Sequence, residues 1–152
     1  MFQSFDTTAE PQFGAARVAK LRAKMVELGI DGFLIPRADE YQGEYVPASA
    51  ERLAWISGFT GSAGVALIMA EQAVVFVDGR YTTQLKEQVD GNVFVGGDLV
   101  GKPPHVWLKE HADLGFRLGI DPWLHTGAEV TKLEAALTAR DGQLVSLDQN
   151  PL

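Results

Sequence analysis

Apolar and polar positions follow two periods along the 152-residue chain, and the switches between them mark out its elements. From Gly14, "GAARVAKLRAKMVELG" sets Val18, Leu21, Met25 and Leu28 at helical spacing. Gly29 stands just past the last turn, where a left-handed residue ends a helix. "DGFLIP" predicts a short buried strand closed by Pro36, and "RADEYQGEYVPAS" has no period and reads as a long loop. In "SAERLAWISG" Ser49 is the expected N-cap of a short helix, with Glu51 in its first turn and Gly58 after its end. "GVALIMA" and "AVVFVD", joined at Glu71-Gln72, read as a β-hairpin. "GRYTTQLKEQV" follows as a helix with Tyr81, Leu85 and Val89 on one face. Then come a strand in "NVFVGG", a helix from Pro103-Pro104 through "HVWLKEHA", and a strand in "RLGID". Thr126 and Glu129 make a capping box for a helix whose apolar face is Val130, Leu133 and Leu137. "QLVSL" is the last strand.

Strands alternating with helices, plus one hairpin, predict an α/β domain: three layers, α/β/α, around a mixed sheet of about six strands. Residues 1–13 read as an N-terminal arm, 14–148 as the domain, and 149–152 as the start of a linker. The stop at "DQNPL", directly after a strand, leads us to expect a gene that continues past Leu152.

Charge narrows the functional classes. A net charge of −7 without a basic run argues against a nucleic-acid backbone or an anionic membrane as partner. The chain has no cysteine, which excludes disulfides, Cys-zinc sites and thiol catalysis. "MFQSFDTTAE" lacks the basic and apolar regions of a signal peptide, and no apolar run is as long as a membrane span. These features read as a soluble cytoplasmic domain.

Chemistry-bearing residues are few. "GFTGSAG", with Gly58, Gly61 and Gly64, is a glycine turn running from helix to strand. A phosphate loop needs the opposite order, and no G-K-[ST] follows. The turn requires at least one of the three glycines to take a positive φ. Asp39, Asp78 and Asp121 follow strands and are weighed as a Mg²⁺-holding nuclease set. The simpler roles are a helix cap for Asp78 and a turn before Pro122 for Asp121. His105, His111 and His125 have no metal-ligand spacing. Trp55, Trp107 and Trp123 read as core or interface aromatics. Arg80 is the odd residue, a cation at the start of a helix, where the dipole disfavours it. Spacing alone leaves two roles open: an ion pair with Asp78 or Glu87, or a ligand contact at the C-terminal end of a strand. A ligand-directed Arg80 is expected to be partly exposed and weakly paired, a structural one buried.

Read together, "FLIPRADEYQGEYVP", "RLAWISGFTGSAGVALI" and "AVVFVDGRYTTQLKEQV" resemble the N-terminal domain of the Xaa-Pro aminopeptidases, in the creatinase/prolidase family. The likeness runs from Gly14 to "NPL" and is greatest to the long, three-domain cytosolic form. It implies a ribonuclease-H-like mixed sheet and a non-catalytic domain that shapes the cleft of a metallopeptidase releasing the residue before proline. It also implies that two Mn²⁺ ions, with their Asp, His and Glu ligands, lie in a C-terminal domain outside these residues, so this chain alone has no catalytic or metal residues and no activity. Implied partners are the downstream domains, a peptide with proline second and, for the full-length enzyme, further copies of itself. Carried over residue by residue, Arg80 contacts the peptide, Phe59 and Thr60 line the rim, Asp78 shapes the turn and Tyr81 anchors the helix. A creatinase or prolidase relative, or a stand-alone α/β domain binding a small ligand, are the alternatives.

Overall fold

Strict alternation along the central strands divides the core in two. The computed structural model describes residues 14–36, 52–59, 64–148 and 151. In β1 (Gly32–Pro36), Phe33 and Ile35 point to one side and Leu34 to the other. In β2 (Val65–Met69), Ala66 and Ile68 oppose Leu67 and Met69. In β3 (Ala73–Val77), Ala73, Val75 and Val77 oppose Val74 and Phe76. Side chains two apart share a face, so each strand feeds both cores.

The lower core is closed by α1 (Gly14–Leu28), α2 (Arg52–Ser57) and α3 (Thr82–Gln88), which contribute Val18, Leu21, Met25, Leu53, Ile56 and Leu85. The upper core is closed by α4 (Pro104–His111) and α5 (Gly127–Thr138) through Leu108, Ala112, Leu133 and Leu137. With β4 (Val95–Asp98), β5 (Arg117–Ile120) and β6 (Gln143–Ser146), the sheet has six strands in the order β4-β3-β2-β1-β5-β6. β2 runs antiparallel to β1 and β3, and the remaining pairs are parallel. This is the expected three-layer mixed sheet.

Local signals account for most of the ends. Gly29 has φ +68° and its N–H bonds to Val26 O, while Ile30 N–H bonds to Met25 O, so the last turn of α1 is closed. The Thr126–Glu129 capping box is present in full. Arg140 donates to the carbonyls of Lys109 and Glu110, and so caps the C-terminal end of α4. Two expectations shift, and a third, on the tryptophans, is narrowed. Leu28 is exposed rather than part of the buried face, since α1 ends there. The fourth strand starts at Val95, not Asn92, because Asp90 draws Asn92 into a turn and its carbonyl accepts from Val93 and Phe94. Trp55 and Trp123 are exposed; Trp107 alone of the three tryptophans packs against a core. The expected N-terminal arm, Ser49, Glu51 and positions 149, 150 and 152 of the linker lie outside the described residues.

Candidate functional site

Because β2 is the one strand that runs against the rest, the C-terminal ends of β1, β3, β4, β5 and β6 share one sheet edge with the start of β2. In open α/β sheets ligands gather at this edge. Arg80, Asp78, Asp98, Asp121 and the end of the glycine turn all lie along it.

Arg80 is the middle residue of a 3₁₀ turn, Gly79–Tyr81, between β3 and α3. Asp78 begins the turn in an extended conformation, and its Oδ1 accepts the Arg80 N–H at 2.9 Å. The same carboxylate takes the guanidinium as a fork. Arg80 Nε lies 3.3 and 3.2 Å from its two oxygens, and an Nη lies 2.9 Å from Oδ2. Asp78 thus answers both the turn's N–H and the cation, which is how an arginine is held against a helix dipole. The pair holds the Asp78 carboxyl below its usual range, chiefly through the Arg80 side-chain bond, and raises Arg80 in turn.

The expectation for Arg80 is therefore met in one half and corrected in the other. Its side chain is 73% exposed, but it is paired through Nε and one Nη, because the two-residue spacing lets Asp78 chelate it, and Glu87 takes no part. Pairing with an exposed face left over orients the guanidinium and keeps donors available. Arg80 also lies over the Tyr81 ring, 5.2 Å from its centroid, so its position is set from two sides. Tyr81 in turn packs edge to face on Phe59, with centroids 5.9 Å apart, and against the lower core.

The glycine turn is explained at its start. Gly58 has φ +87°, as at least one of its three glycines was expected to, and its N–H closes α2 on Ala54 O. Buried Ser57 donates to Leu53 O and accepts from Phe59 N–H, which fixes the bend. A Cβ on Gly64 would lie 3.0 Å from both Leu53 and Phe59, so close packing needs the glycine there. Phe59 itself is 1% exposed. It buttresses Tyr81 from inside, a correction to its placement on the rim, since α2 directs the ring into the lower core. Thr60, Gly61 and Asp39 fall outside the described residues.

Gly79 is different. A Cβ there would meet nothing within 4 Å and its φ is not left-handed, so the fold does not demand a glycine. A cavity of about 720 Å³ opens beside it between α3 and β4, walled by Val77, Leu85, Val89, Phe94 and the bare backbone of Gly96 and Gly97. The site thus combines an oriented, exposed guanidinium with an apolar recess, which suits binding rather than bond-making.

Asp121, like Asp78, caps a 3₁₀ turn (Pro122–Leu124) by accepting from Trp123 N–H. Among the described residues no group of three or more His, Asp or Glu lies close enough to hold a metal ion. His111 stacks on Trp107, with centroids 4.6 Å apart. His125 is buried, its Nδ1 3.4 Å from Glu129 Oε2. That contact, ahead of the Thr126 N–H and hydroxyl, pulls the Glu129 carboxyl from 4.5 down to about 2, against the effect of burial. A carboxyl depressed by folding adds stability above its unfolded pKa and loses it as pH falls toward the folded one. With Glu129 half-exposed, screening leaves about 1–2 kcal/mol at neutral pH. Glu129→Gln is expected to lower stability by that amount at pH 7, and the difference should shrink from about pH 4.5 and vanish as pH falls below about 2. Urea midpoints across this range check it; a difference independent of pH would show that the capping geometry alone matters.

With the geometry in place, the class of protein is defined: the chain belongs to the creatinase/prolidase N-terminal domain family, whose pattern matches residues 17–150. It is 38% identical over 149 residues to a probable Xaa-Pro aminopeptidase P of Arthroderma otae, covering 97% of this chain and 24% of that protein. Human Xaa-Pro aminopeptidase 2 is 36% identical over 130 residues, covering 86% of this chain and 19% of that protein. The chain therefore spans about a quarter or less of the curated relatives it matches. Among solved structures, a cytosolic X-prolyl aminopeptidase of Caenorhabditis elegans with a di-nuclear active site superposes with a TM-score of 0.81 at 28% identity, over 91% of this chain and 24% of that one. The N-terminal domain of the cytoplasmic peptidase PepQ from Mycobacterium tuberculosis superposes at 0.66, also at 28% identity, over 87% of this chain and 92% of that one. Among the described residues no helix is long and apolar enough to cross a membrane.

Proposed function

We propose that this chain is the non-catalytic N-terminal domain of a cytosolic Xaa-Pro aminopeptidase, shaping the cleft in which a peptide with proline second is held. Its part in the reaction is positional. Arg80, held by Asp78, reaches from the end of β3 toward the cleft and donates to a carbonyl or carboxylate of the peptide, with the 720 Å³ recess beside it. The observation that carries this reading is the exposed yet oriented guanidinium at the ligand-bearing edge of the sheet. The names of the relatives and their greater length support it. The hydrolytic metals, two Mn²⁺ in this reading, belong to a following domain, and the enzyme assembles as a homo-oligomer.

The test compares this chain with its full-length parent. The parent is expected to release the first residue from Xaa-Pro peptides of three or more residues when Mn²⁺ is supplied, and the 152-residue chain to release none. Turnover by the chain alone would overturn the non-catalytic reading. A parent that cleaves Xaa-Pro dipeptides only would make it a prolidase, and a gene ending at Leu152 would leave a small-ligand-binding domain.

A further inference from the structure

A second cavity, of about 320 Å³, lies along the same sheet edge but on the opposite face, between the first turns of α4 and α5. That is the lower end of the range for small-molecule sites. Its floor is apolar, with Leu34, Val65 and Leu133 among its lining, and its polar wall is His105, His125, Glu129 and Lys132.

The polar wall is unbalanced in a specific way. α4 starts at Pro104 with no side-chain cap, so the positive end of its dipole is unanswered. Lys132 has no ion-pair partner among the described residues, and it stands close enough to His105 to add to the effect of burial in lowering that ring's pKa. Glu129, the one carboxylate of the wall, is already engaged by the Thr126 N–H and by His125 Nδ1. An ionised carboxylate only accepts, so Nδ1 of His125 carries the hydrogen; in the tautomer with that one hydrogen the lone pair is on Nε2. That Nε2 is buried and has no partner among the described residues, in a side chain only 1% exposed. Buried polar atoms without partners are rare and call for an explanation.

A ligand that answers all of these needs a carboxylate for Lys132 and the α4 terminus, an N–H for His125, and an apolar group for the floor. We propose that the cavity between α4 and α5 binds the α-carboxylate, amide N–H and apolar side chain of an N-acylated amino acid, free or as the last residue of a short peptide. Lys132 and the start of α4 receive the carboxylate, His125 Nε2 accepts the amide N–H, and Leu34, Val65 and Leu133 receive the side chain. The proposal is independent of the aminopeptidase reading, because Arg80 lies on the other side of the sheet edge.

The test uses the 152-residue chain and two probes, N-acetyl-leucine and an acetylated tripeptide ending in leucine, followed by NMR. Saturable shifts of His105, His125 and Leu133 are expected at millimolar probe. N-acetyl-leucinamide should bind at least about tenfold more weakly, as should N-acetyl-leucine to Lys132→Gln, and Lys132→Arg should restore binding. Lys132 is exposed, so the substitution leaves the fold intact. Tighter binding of the tripeptide would identify a peptide terminus as the ligand; equal binding would identify a single residue. Absence of saturable shifts, equal binding of the amide, or indifference to Lys132→Gln would each overturn the proposal.

Discussion

Arg80→Ala in the full-length parent is expected to lower kcat/KM on Xaa-Pro peptides tenfold or more while leaving the melting temperature of this domain within about 2 °C. The two halves come from different observations. Function is affected because a charge-assisted hydrogen bond to the peptide is lost, and a rigid fork oriented by Asp78 donates such bonds with little ordering cost. Stability is spared because Arg80 is exposed, and Asp78 keeps its bond to the backbone N–H of residue 80 whatever side chain stands there. Asp78→Asn separates the roles further. It keeps an acceptor for the turn but removes the charge that holds the fork, so it should reduce kcat/KM less than Arg80→Ala does. Gly79→Ala adds a methyl to open space, and the fold should accept it. If activity falls with Gly79→Ala while the melting temperature holds, the space beside Arg80 is occupied in the working enzyme. A large loss of stability with near-normal kinetics for Arg80→Ala would make the ion pair a structural device.

What the sequence showed and what it hid divide by range. The Thr126–Glu129 capping box, Gly29 and Gly58 were legible because the chemistry that sets each end lies within about four residues of it. The sheet was legible because β1, β2 and β3 are short apolar runs bounded by Pro36, the Glu71-Gln72 turn and Asp78. The Asp78–Arg80 pair was in view as one of two open roles, and two-residue spacing cannot show that an arginine is both chelated and exposed. The turn at Asp121 was in view and the 3₁₀ turn Gly79–Tyr81 was read as the start of a helix, since a three-residue turn leaves no period and only the Asp before each one marks it. The rim role of Phe59 is implied by the family resemblance alone, and no local signal shows that α2 turns the ring inward toward Tyr81. The α4–α5 cavity had no signature, for its polar wall joins residues some twenty or more positions apart, and His125 reads as an ordinary histidine until its unpartnered Nε2 is seen.

Phe76→Ala is expected to cost the domain about 3–5 kcal/mol, the largest effect of any single side chain considered, and to lower its melting temperature by about 10 °C or more. Phe76 is fully buried one residue before the end of β3, points into the upper core and meets Trp107 edge to face with centroids 6.4 Å apart. Truncation removes its transfer energy and leaves a cavity that a sheet cannot collapse around, because the register of β3 with β2 and β4 holds the backbone on both sides. The neighbouring strand provides an internal check. A Cβ on Gly97 would lie 2.6 Å from the Phe76 ring, so the ring and the bare glycine fit as a pair. Gly97→Ala alone should therefore destabilise by overpacking. In the Phe76→Ala background the added methyl enters vacated space, so the double variant should be clearly more stable than the two single losses, added together, would make it. Urea unfolding of the four proteins measures that coupling. Strict additivity would mean that β4 moves away from β3 in the single variants, and that the sheet edge beside the Arg80 recess is softer than its packing implies.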